Sequence, residues 1–319
     1  MTSLSRRAFA LSLPAASALA ASTFPARAVP SAAKPLALVP SAQISIGRFT
    51  ITAVSDGYAD MPFSYFPGRT PEQVEAAARA MSSAKSGGIR FVFNQYLIDD
   101  GERRILIDTG PAGTLGQTGR LPDALRAIGV QPDSIGAIIV THMHQDHMGG
   151  LVAGGRQNFP AAELYVDRRD VLHWTDPSKR AGAPAYLEDS FRIAAEMVRL
   201  YPKLQAVDGE RQISPGVSIV DLTGHTPGHI GVRIEDAGQS LIMVSDMLFP
   251  VIHPEATEVG FLFEQDRPAA QAMRARFFPR AAEEKALIAA THMPFPGFGR
   301  IVSDRGKLGW MPADWAYQG

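Results

Sequence analysis

The sequence contains no cysteine among its 319 residues. This absence excludes disulfide bridges, cysteine nucleophiles and thiolate metal sites, so any bound metal has to be held by histidine, aspartate or glutamate. The sequence also lacks an excess of charge of either sign, because 31 basic residues stand against 32 acidic ones, for a formal net charge of −1. A nearly neutral chain gives no electrostatic reason to expect a nucleic acid partner.

No apolar run of the sequence is long enough for a membrane span, which needs about 20 residues. The apolar stretch Ala8–Ala21 is too short, and it begins within Ser5–Phe9, which has a twin-arginine pattern. We predict a twin-arginine signal peptide over 1–28, because small residues suited to a signal peptidase end it. The alternative is an alanine-rich N-terminal helix. The predicted protein is periplasmic or secreted, with a flexible leader over 29–42.

Residues 43–319 are predicted to form one α/β (α+β) domain. The predicted strands, which are rich in β-branched and aromatic residues, are 44–54, 89–98, 104–108, 137–140, 164–166, 217–222, 230–234, 241–244 and 286–290. The predicted helices cover 122–128, 168–174, 186–200 and 268–278. Because clusters of strands are followed by helices twice over, we expect two packed β-sheets with helices outside them.

The stretch Thr141–Gly150 has three histidines and an aspartate within six residues, directly after a predicted strand. Imidazole and carboxylate are ligands that suit zinc and other first-row divalent ions. His142 and His144 can point the same way from an extended backbone, and Asp146 and His147 can then face a second centre. An isolated histidine is usually a surface or core residue. Four potential ligands this close are hard to explain without a metal, because they would repel or lose solvation on charging.

One cluster cannot complete two metal sites, so other parts of the sequence have to supply ligands. Three further candidates, His229, Asp246 and His292, lie next to predicted strand ends. Loops at strand ends commonly present reactive side chains. The sequence therefore predicts a dinuclear centre at the strand ends of the domain.

The run His142-x-His144-x-Asp146-His147, followed by His229, Asp246 and His292 in that order, resembles the metallo-β-lactamase superfamily. The resemblance implies an αβ/βα sandwich made of two similar halves, with two divalent metal ions. Carried over by position, it implies His142, His144 and His229 at the first metal, Asp146, His147 and His292 at the second, and Asp246 as the bridge. We expect zinc, with manganese, cobalt or iron as alternatives. Asp108 and His225 are expected to support the ligands rather than to bind metal.

Residues 108–121, 141–151 and 291–297 resemble the methyl parathion hydrolase subgroup of this superfamily. That resemblance implies a secreted dizinc enzyme that cleaves aryl dialkyl phosphotriesters. We expect hydroxide shared by two metal ions to attack a phosphotriester or ester that has an apolar leaving group. Asp246 would take part as the bridging ligand, and Asp146 is a candidate for carrying a proton to the leaving group.

Other activities on the same ligand set are left open. Lactone hydrolysis is the main alternative, although quorum-quenching lactonases commonly carry a tyrosine where this sequence has Phe249. A di-iron redox protein is less favoured, because such relatives place glutamate where this sequence has His144. A non-catalytic metal-binding role is a third alternative. The natural substrate and the identity of the metal are not fixed by the sequence.

Aromatic residues give the remaining predictions about the surroundings of the site. Trp174, Phe249 and Phe295 are predicted to line a substrate pocket, which would favour small apolar esters, lactones or phosphotriesters. The segment 55–75 is predicted to form an apolar contact surface for a homodimer, through Tyr58, Phe63, Tyr65 and Phe66.

Overall fold

A computed structural model describes residues 40–313, and the structural statements below concern this range. The predicted signal peptide and almost all of the predicted leader lie outside the described residues. The first strand begins at Ser41, just before the predicted domain boundary at residue 43. Within the described range, none of the helices has the length and apolar character needed to cross a bilayer.

The described residues form seventeen strands and seven α-helices. The strands of the first half are β1 (Ser41–Ile46), β2 (Phe49–Pro62), β3 (Ala84–Lys85), β4 (Gly88–Asp99), β5 (Arg104–Ile107), β6 (Ala137–Ile139), β7 (Val152–Ala153), β8 (Arg156–Gln157), β9 (Glu163–Asp167) and β10 (Gln205–Val207). Those of the second half are β11 (Arg211–Ser214), β12 (Val217–Asp221), β13 (Ile230–Asp236), β14 (Gln239–Met243), β15 (Leu287–Ala289), β16 (Phe298–Asp304) and β17 (Lys307–Pro312). The helices are α1 (Pro71–Ala80), α2 (Leu121–Ala127), α3 (Gln145–Met148), α4 (Arg168–Trp174), α5 (Pro177–Gly182), α6 (Glu188–Leu200) and α7 (Arg267–Glu284).

The strands form two large sheets. The first has the order β1-β2-β4-β5-β6-β9-β10 with β3 paired to β4, and the second has the order β11 through β17. Strands β5, β6, β9 and β10 run parallel, as do β14 and β15. Side chains that follow the carboxyl ends of parallel neighbours meet at one edge of a sheet. This topology brings the loops that follow β5, β6, β14 and β15 to the site described below.

The two sheets pack face to face around a shared apolar core. Ile51, Ile98 and Ile139 of the first sheet are buried in one cluster with Val232 and Met243 of the second. Each such side chain contributes about 1.5–3 kcal/mol to folding through its removal from water. Helices α2 and α6 cover the outer face of the first sheet, and α7 covers that of the second. The expected αβ/βα sandwich is confirmed.

The structure differs from the predicted elements at several places. The run predicted as one strand over 44–54 is a hairpin, in which Gly47 turns with a positive φ of 54° and Ile46 pairs with Phe49. Helix α1 was not predicted, although Thr70 and Gln73 form a capping box at its start. Strands β16 and β17 were also not predicted.

The four aromatic residues of segment 55–75 are buried to different degrees, and three of them lie in or against an aromatic cluster of the protein. Phe66 is 1% exposed and lies against Phe91 and Phe249. Tyr65 contacts Phe263, and the guanidinium of Arg90 lies 3.7 Å from the ring centre of Tyr58. Phe63 is also packed against this aromatic cluster. Tyr58, Phe63 and Tyr65 are only partly buried, so the apolar contact surface and the homodimer both stay predictions.

Candidate metal centre

The predicted ligands lie on loops from both sheets. Asp108 follows β5, and the stretch from His142 to His147 follows β6 and enters α3. The loop between β12 and β13 carries His225 and His229, and Asp246 follows β14. His292 follows β15. Residues from five separate loops therefore meet at one edge of the sandwich, where all of the predicted ligands except Asp146 are almost fully buried.

The first group of ligand atoms is centred on His144. The Nδ1 atom of His144 lies 2.9 Å from His142 Nε2 and 3.0 Å from His225 Nε2. Asp246 Oδ2 lies 3.2 Å from His225 Nε2 and 3.8 Å from His142 Nε2. The ligand atoms of these four residues are all within 4.8 Å of one another.

The second group consists of Asp146, His147 and His292. Asp146 Oδ2 lies 3.6 Å from His147 Nε2 and 3.4 Å from His292 Nε2. Asp246 Oδ1 lies 3.2 Å from each of the same two nitrogens. The two carboxylate oxygens of Asp246 thus face different groups, which is the placement a bridging ligand requires.

Three of the imidazole rings are held by a hydrogen bond at Nδ1 that leaves Nε2 directed elsewhere. His147 Nδ1 lies 2.8 Å from Asp108 Oδ2, His229 Nδ1 lies 3.1 Å from the carbonyl oxygen of Leu222, and His292 Nδ1 lies 3.3 Å from that of Val92. Metal-binding histidines almost always donate their other N–H to a carboxylate or carbonyl group in this way. The contact from Asp108 is the support that the sequence predicts for this residue.

The loop between β12 and β13 offers two histidines for the first group, and the structure distinguishes them. Nε2 of His225 is close to Asp246 and His144, but among the described residues its buried Nδ1 has no hydrogen-bond partner. His229 has the opposite arrangement, with Nδ1 held by Leu222 and a buried Nε2 that has no partner in the described range. Its ring centre is 5.1 Å from that of His142. The group of close ligand atoms thus includes His225 and not the predicted ligand His229, although the hydrogen bond at Nδ1 of His229 is of the kind that metal-binding histidines make.

The donor set fits a pair of divalent cations. Within the described part of the chain, the Nε2 atoms of His144, His147 and His229 are buried without a hydrogen-bond partner, and a buried polar atom without a partner is costly unless a ligand compensates it. Burial lowers the pKa of His144 to about 3 and that of His229 to about 4. Both rings are therefore neutral near pH 7, which is the form that binds metal.

The second group lies in a region of concentrated negative charge. Burial alone would lower the pKa of His147, but the carboxylates of Asp246, Asp146 and Asp108 raise it well above its usual value. Burial raises the pKa of Asp146, whereas for Asp246 the histidines around it outweigh burial and hold the pKa well below its usual range. These carboxylates stabilise positive charge among them, as a cation site requires.

The structure also shows supporting residues that were not predicted. Thr141 Oγ1 lies 2.8 Å from Asp108 Oδ2 and 2.9 Å from Ser245 Oγ, so it links the ends of β5, β6 and β14. Asp108 and Ser245 both have positive φ, at 60° and 47°, which is uncommon for residues other than glycine and is found preferentially at functional sites. Asp170 is a further buried carboxylate beside the ligand loops. No local sequence signal marks these residues, because their contacts join distant segments.

Aromatic side chains form one wall of the site. Phe249 is fully buried and stacks on His292 with ring centres 5.5 Å apart, and Trp174 contacts His144 edge-on at 5.2 Å. Phe263, which is only partly buried, lies 6.1 Å from His144. Phe295 packs instead against the core between the sheets, so the structure does not bring it to the ligand rings.

Comparisons with known proteins agree with this architecture. The hydrolase AbOPH of the beta lactamase superfamily superposes with a TM-score of 0.82 at 27% identity, over 88% of this chain and 99% of that one. AidC, a dizinc quorum-quenching lactonase, superposes with a TM-score of 0.79 over the same shares at 24% identity, which supports the fold alone.

Among curated proteins, N-acyl homoserine lactonase AiiA of Bacillus thuringiensis subsp. kurstaki is 25% identical over 171 residues. The match covers 47% of this chain and 61% of the relative, so this chain spans less than two thirds of that protein. The family model of the metallo-beta-lactamase superfamily matches residues 90–292, which hold the entire predicted ligand set. With this match, a sandwich of two sheets and a two-part histidine and aspartate cluster at its edge, the chain belongs to the metallo-beta-lactamase superfamily.

Proposed function

We propose that this protein is a two-metal hydrolase of uncharged esters that carry an apolar group. The observation that carries the proposal is the placement of Asp246, whose Oδ2 faces the first ligand group and whose Oδ1 faces the second at 3.2 Å from two histidine nitrogens. A carboxylate shared in this way holds two cations close together, and such pairs are typical of hydrolytic centres.

The residues that would hold the first cation are His142, His144 and His229, and those that would hold the second are Asp146, His147 and His292. Zinc is the metal that we expect first, because the ligand atoms are imidazole nitrogens and carboxylate oxygens. When bound, the metal pair supplies a water of lowered pKa as the nucleophile and an electrophile for the carbonyl or phosphoryl oxygen.

Side chains of the protein orient these ligands, and one of them can transfer a proton to the leaving group. Asp108 holds the ring of His147, and His225 Nε2 lies 3.2 Å from Asp246 Oδ2. Asp146 is the most exposed of the seven predicted ligands, with 17% of its side chain accessible. Its access to solvent suits a group that passes a proton to the leaving alkoxide or phenolate. We assign that proton transfer to Asp146.

The wall beside the ligands favours a neutral, apolar substrate. Phe249, Phe261 and Phe263 pack ring against ring beside the ligand histidines, and Tyr186 extends this wall towards solvent with 41% of its surface exposed. A wall of carbon atoms binds apolar groups by removing them from water, whereas a charged substrate would lose hydration there without compensation.

Lactones are the first substrate class to test. The named activity of the curated relative AiiA is that of an N-acyl homoserine lactonase, and the fatty acyl chain of such a lactone suits an aromatic wall. Aryl phosphotriesters are the second class. Phe249, which has no hydroxyl group and is fully buried against His292, favours them because it occupies the position of the tyrosine expected in lactonases.

The test is a substrate panel on metal-loaded protein and on the same protein after chelation. The panel contains an N-acyl homoserine lactone, an aryl dialkyl phosphotriester, an aryl acetate and a β-lactam. We expect turnover of the lactone or the phosphotriester that is lost with chelator and returns with zinc. Turnover that survives chelation, or that is confined to the β-lactam, would overturn the proposal. The ratio of the lactone and phosphotriester values of kcat/KM decides between the two substrate classes.

A further inference from the structure

Asp170 is a buried carboxylate that contacts two ligand loops at once. It lies in the first turn of α4 and has no exposed surface. Its Oδ2 accepts hydrogen bonds from the backbone N–H of Met143 at 2.8 Å and from the hydroxyl of Thr226 at 2.9 Å. Its Oδ1 accepts one from the backbone N–H of Gly228 at 2.6 Å. One side chain therefore joins two segments that are far apart in the sequence.

Two of the three donors lie next to predicted ligands of the first metal. Met143 separates His142 from His144, and Gly228 directly precedes His229. The first two histidines follow β6 of the first sheet, whereas His229 leads into β13 of the second. The carboxylate thus fixes the distance between ligands that come from opposite halves of the sandwich.

Helix α4 packs so closely on the loop between β12 and β13 that Gly228 leaves no room for a side chain. A Cβ atom there would lie 2.6 Å from the backbone nitrogen of Asp170 and 2.9 Å from Asp167 Oδ1. At the other end of the same helix, Trp174 packs edge-on against His144. Helix α4 therefore supports the ligands of the first metal at both of its ends.

We propose that Asp170 is a positioning residue that sets the affinity of the first metal site by clamping the His142–His144 loop to the His229 loop. The proposal rests on the two-metal site of the proposed function and adds a residue that touches neither metal nor substrate. Hydrogen-bond partners that orient ligands typically change metal affinity by about 10–100-fold when they are removed.

The charge of Asp170 is consistent with this role. Burial raises its pKa to about 6, even though the three hydrogen bonds act in the opposite direction. At neutral pH the group is ionised at a cost to folding, so it adds negative charge close to the first ligand group. Cations in the site would offset that cost, because opposite charges stabilise each other strongly where water is excluded.

The experiment isolates the first site with His292→Ala, which removes one ligand of the second. Cobalt titration followed by absorption spectroscopy then gives the Kd of the remaining site, with and without Asp170→Asn. We expect Asp170→Asn to weaken cobalt binding by about 10–100-fold. In a His229→Ala background, where the second site remains, the same substitution is expected to change Kd by less than about threefold. Asp176→Asn is the matched control, since Asp176 is also an aspartate at the start of a helix and caps α5 without contacting a ligand loop.

The proposed role of Asp170 would be overturned if Asp170→Asn left the Kd for cobalt unchanged in the His292→Ala background. It would also be overturned if Asp170→Asn weakened cobalt binding equally in the His292→Ala and His229→Ala backgrounds. If Asp170→Asn does not fold, Thr226→Val removes only one of the three donors, and we expect it to weaken the first site selectively by a smaller factor. Metal analysis of the unmodified protein separates this result from the proposed function. Protein that holds no metal pair would overturn the two-metal site itself, whereas Asp170→Asn protein with unaltered affinity would overturn only the role of Asp170.

Discussion

Asp108 and His147 are separated by 39 positions in the sequence, and the Oδ2 atom of Asp108 lies 2.8 Å from the Nδ1 atom of His147. The other carboxylate oxygen of Asp108 accepts the backbone N–H of Thr141 at 2.7 Å. Asp108 therefore fixes the end of β6 and the ring of a predicted ligand together. Its positive φ places the carboxylate in this position at the end of β5.

Asp108→Asn is expected to weaken binding at the second metal site by about 10–100-fold, because an amide holds the ring of His147 less well than a carboxylate. Metal content after dialysis and the dependence of turnover on added zinc measure this effect. Asp123→Asn is the control, since Asp123 is an exposed aspartate that pairs only with Arg126 on α2. Equal metal content in both variants would contradict the role of Asp108.

Removal of metal is expected to lower the thermal stability of the protein. The ligands join loops of both sheets, so cations that bind only the folded state stabilise it by about 4 kcal/mol per ion when the free metal is roughly 1,000 times Kd. Calorimetry with increasing chelator measures the loss as a fall in Tm. Asp246→Ala lacks the residue that faces both groups, and we expect its Tm to respond much less to chelator. A response as large as that of the unmodified protein would contradict the shared site.

Arg274 and Glu264 form a fully buried ion pair that holds the loop carrying the aromatic wall. Arg274 NH1 lies 2.5 Å from Glu264 Oε1, and Glu264 Oε2 accepts the backbone N–H of Phe261. Arg274→Met leaves a buried carboxylate without its partner, which is expected to cost about 3–5 kcal/mol of unfolding free energy. Denaturant unfolding measures this loss. Adding Glu264→Gln should restore part of the stability, and a double variant that is no more stable than Arg274→Met would argue against the pair as the cause.

Phe263 is predicted to contribute to substrate binding rather than to folding. It is only partly buried and lies between His144 and the exposed Tyr186. Phe263→Ala is expected to raise KM for substrates with an apolar group by about tenfold, since it removes about 1.4 kcal/mol of apolar contact. Metal content should not change. Phe277→Ala, at a partly buried phenylalanine of α7, is the control, and an equal rise in KM there would rule out a specific contact of Phe263 with substrate.

The stability of the metal-free protein is expected to depend on pH through Asp170. Burial raises the pKa of its carboxyl group from 3.8 to about 6 in the folded state. Between these two pH values the folded state therefore keeps a proton that the unfolded state has released. The contribution of Asp170 to stability therefore falls as pH rises from about 4 to about 6, by on the order of 3 kcal/mol in total. The difference in unfolding free energy between the unmodified protein and Asp170→Asn, measured across this range, isolates the effect from other groups. A difference that does not vary with pH would contradict it.

Much of the fold follows from patterns that are local in sequence. The apolar runs at 89–98 and 137–140 became β4 and β6, and helix α4 has the predicted bounds of 168–174. Strands β16 and β17 were not predicted from the sequence. Helix α7 continues past Pro279 to Glu284, beyond the predicted end at 278, which is a tertiary effect because its apolar side packs on the second sheet.

The sequence by itself determined the ligand chemistry, because the absence of cysteine and the spacing of His142, His144, Asp146 and His147 restrict a metal to imidazole and carboxylate groups. It also determined that the other ligands stand at strand ends. The tertiary structure alone decided how His225 and His229 differ, why Asp170 and Ser245 matter, and which aromatic side chains reach the site. These features depend on hydrogen bonds and ring contacts between segments such as Thr141 and Ser245, which are 104 positions apart. Contacts of this kind arise only when the two sheets pack, since no local pattern of residues encodes which distant side chain will be opposite.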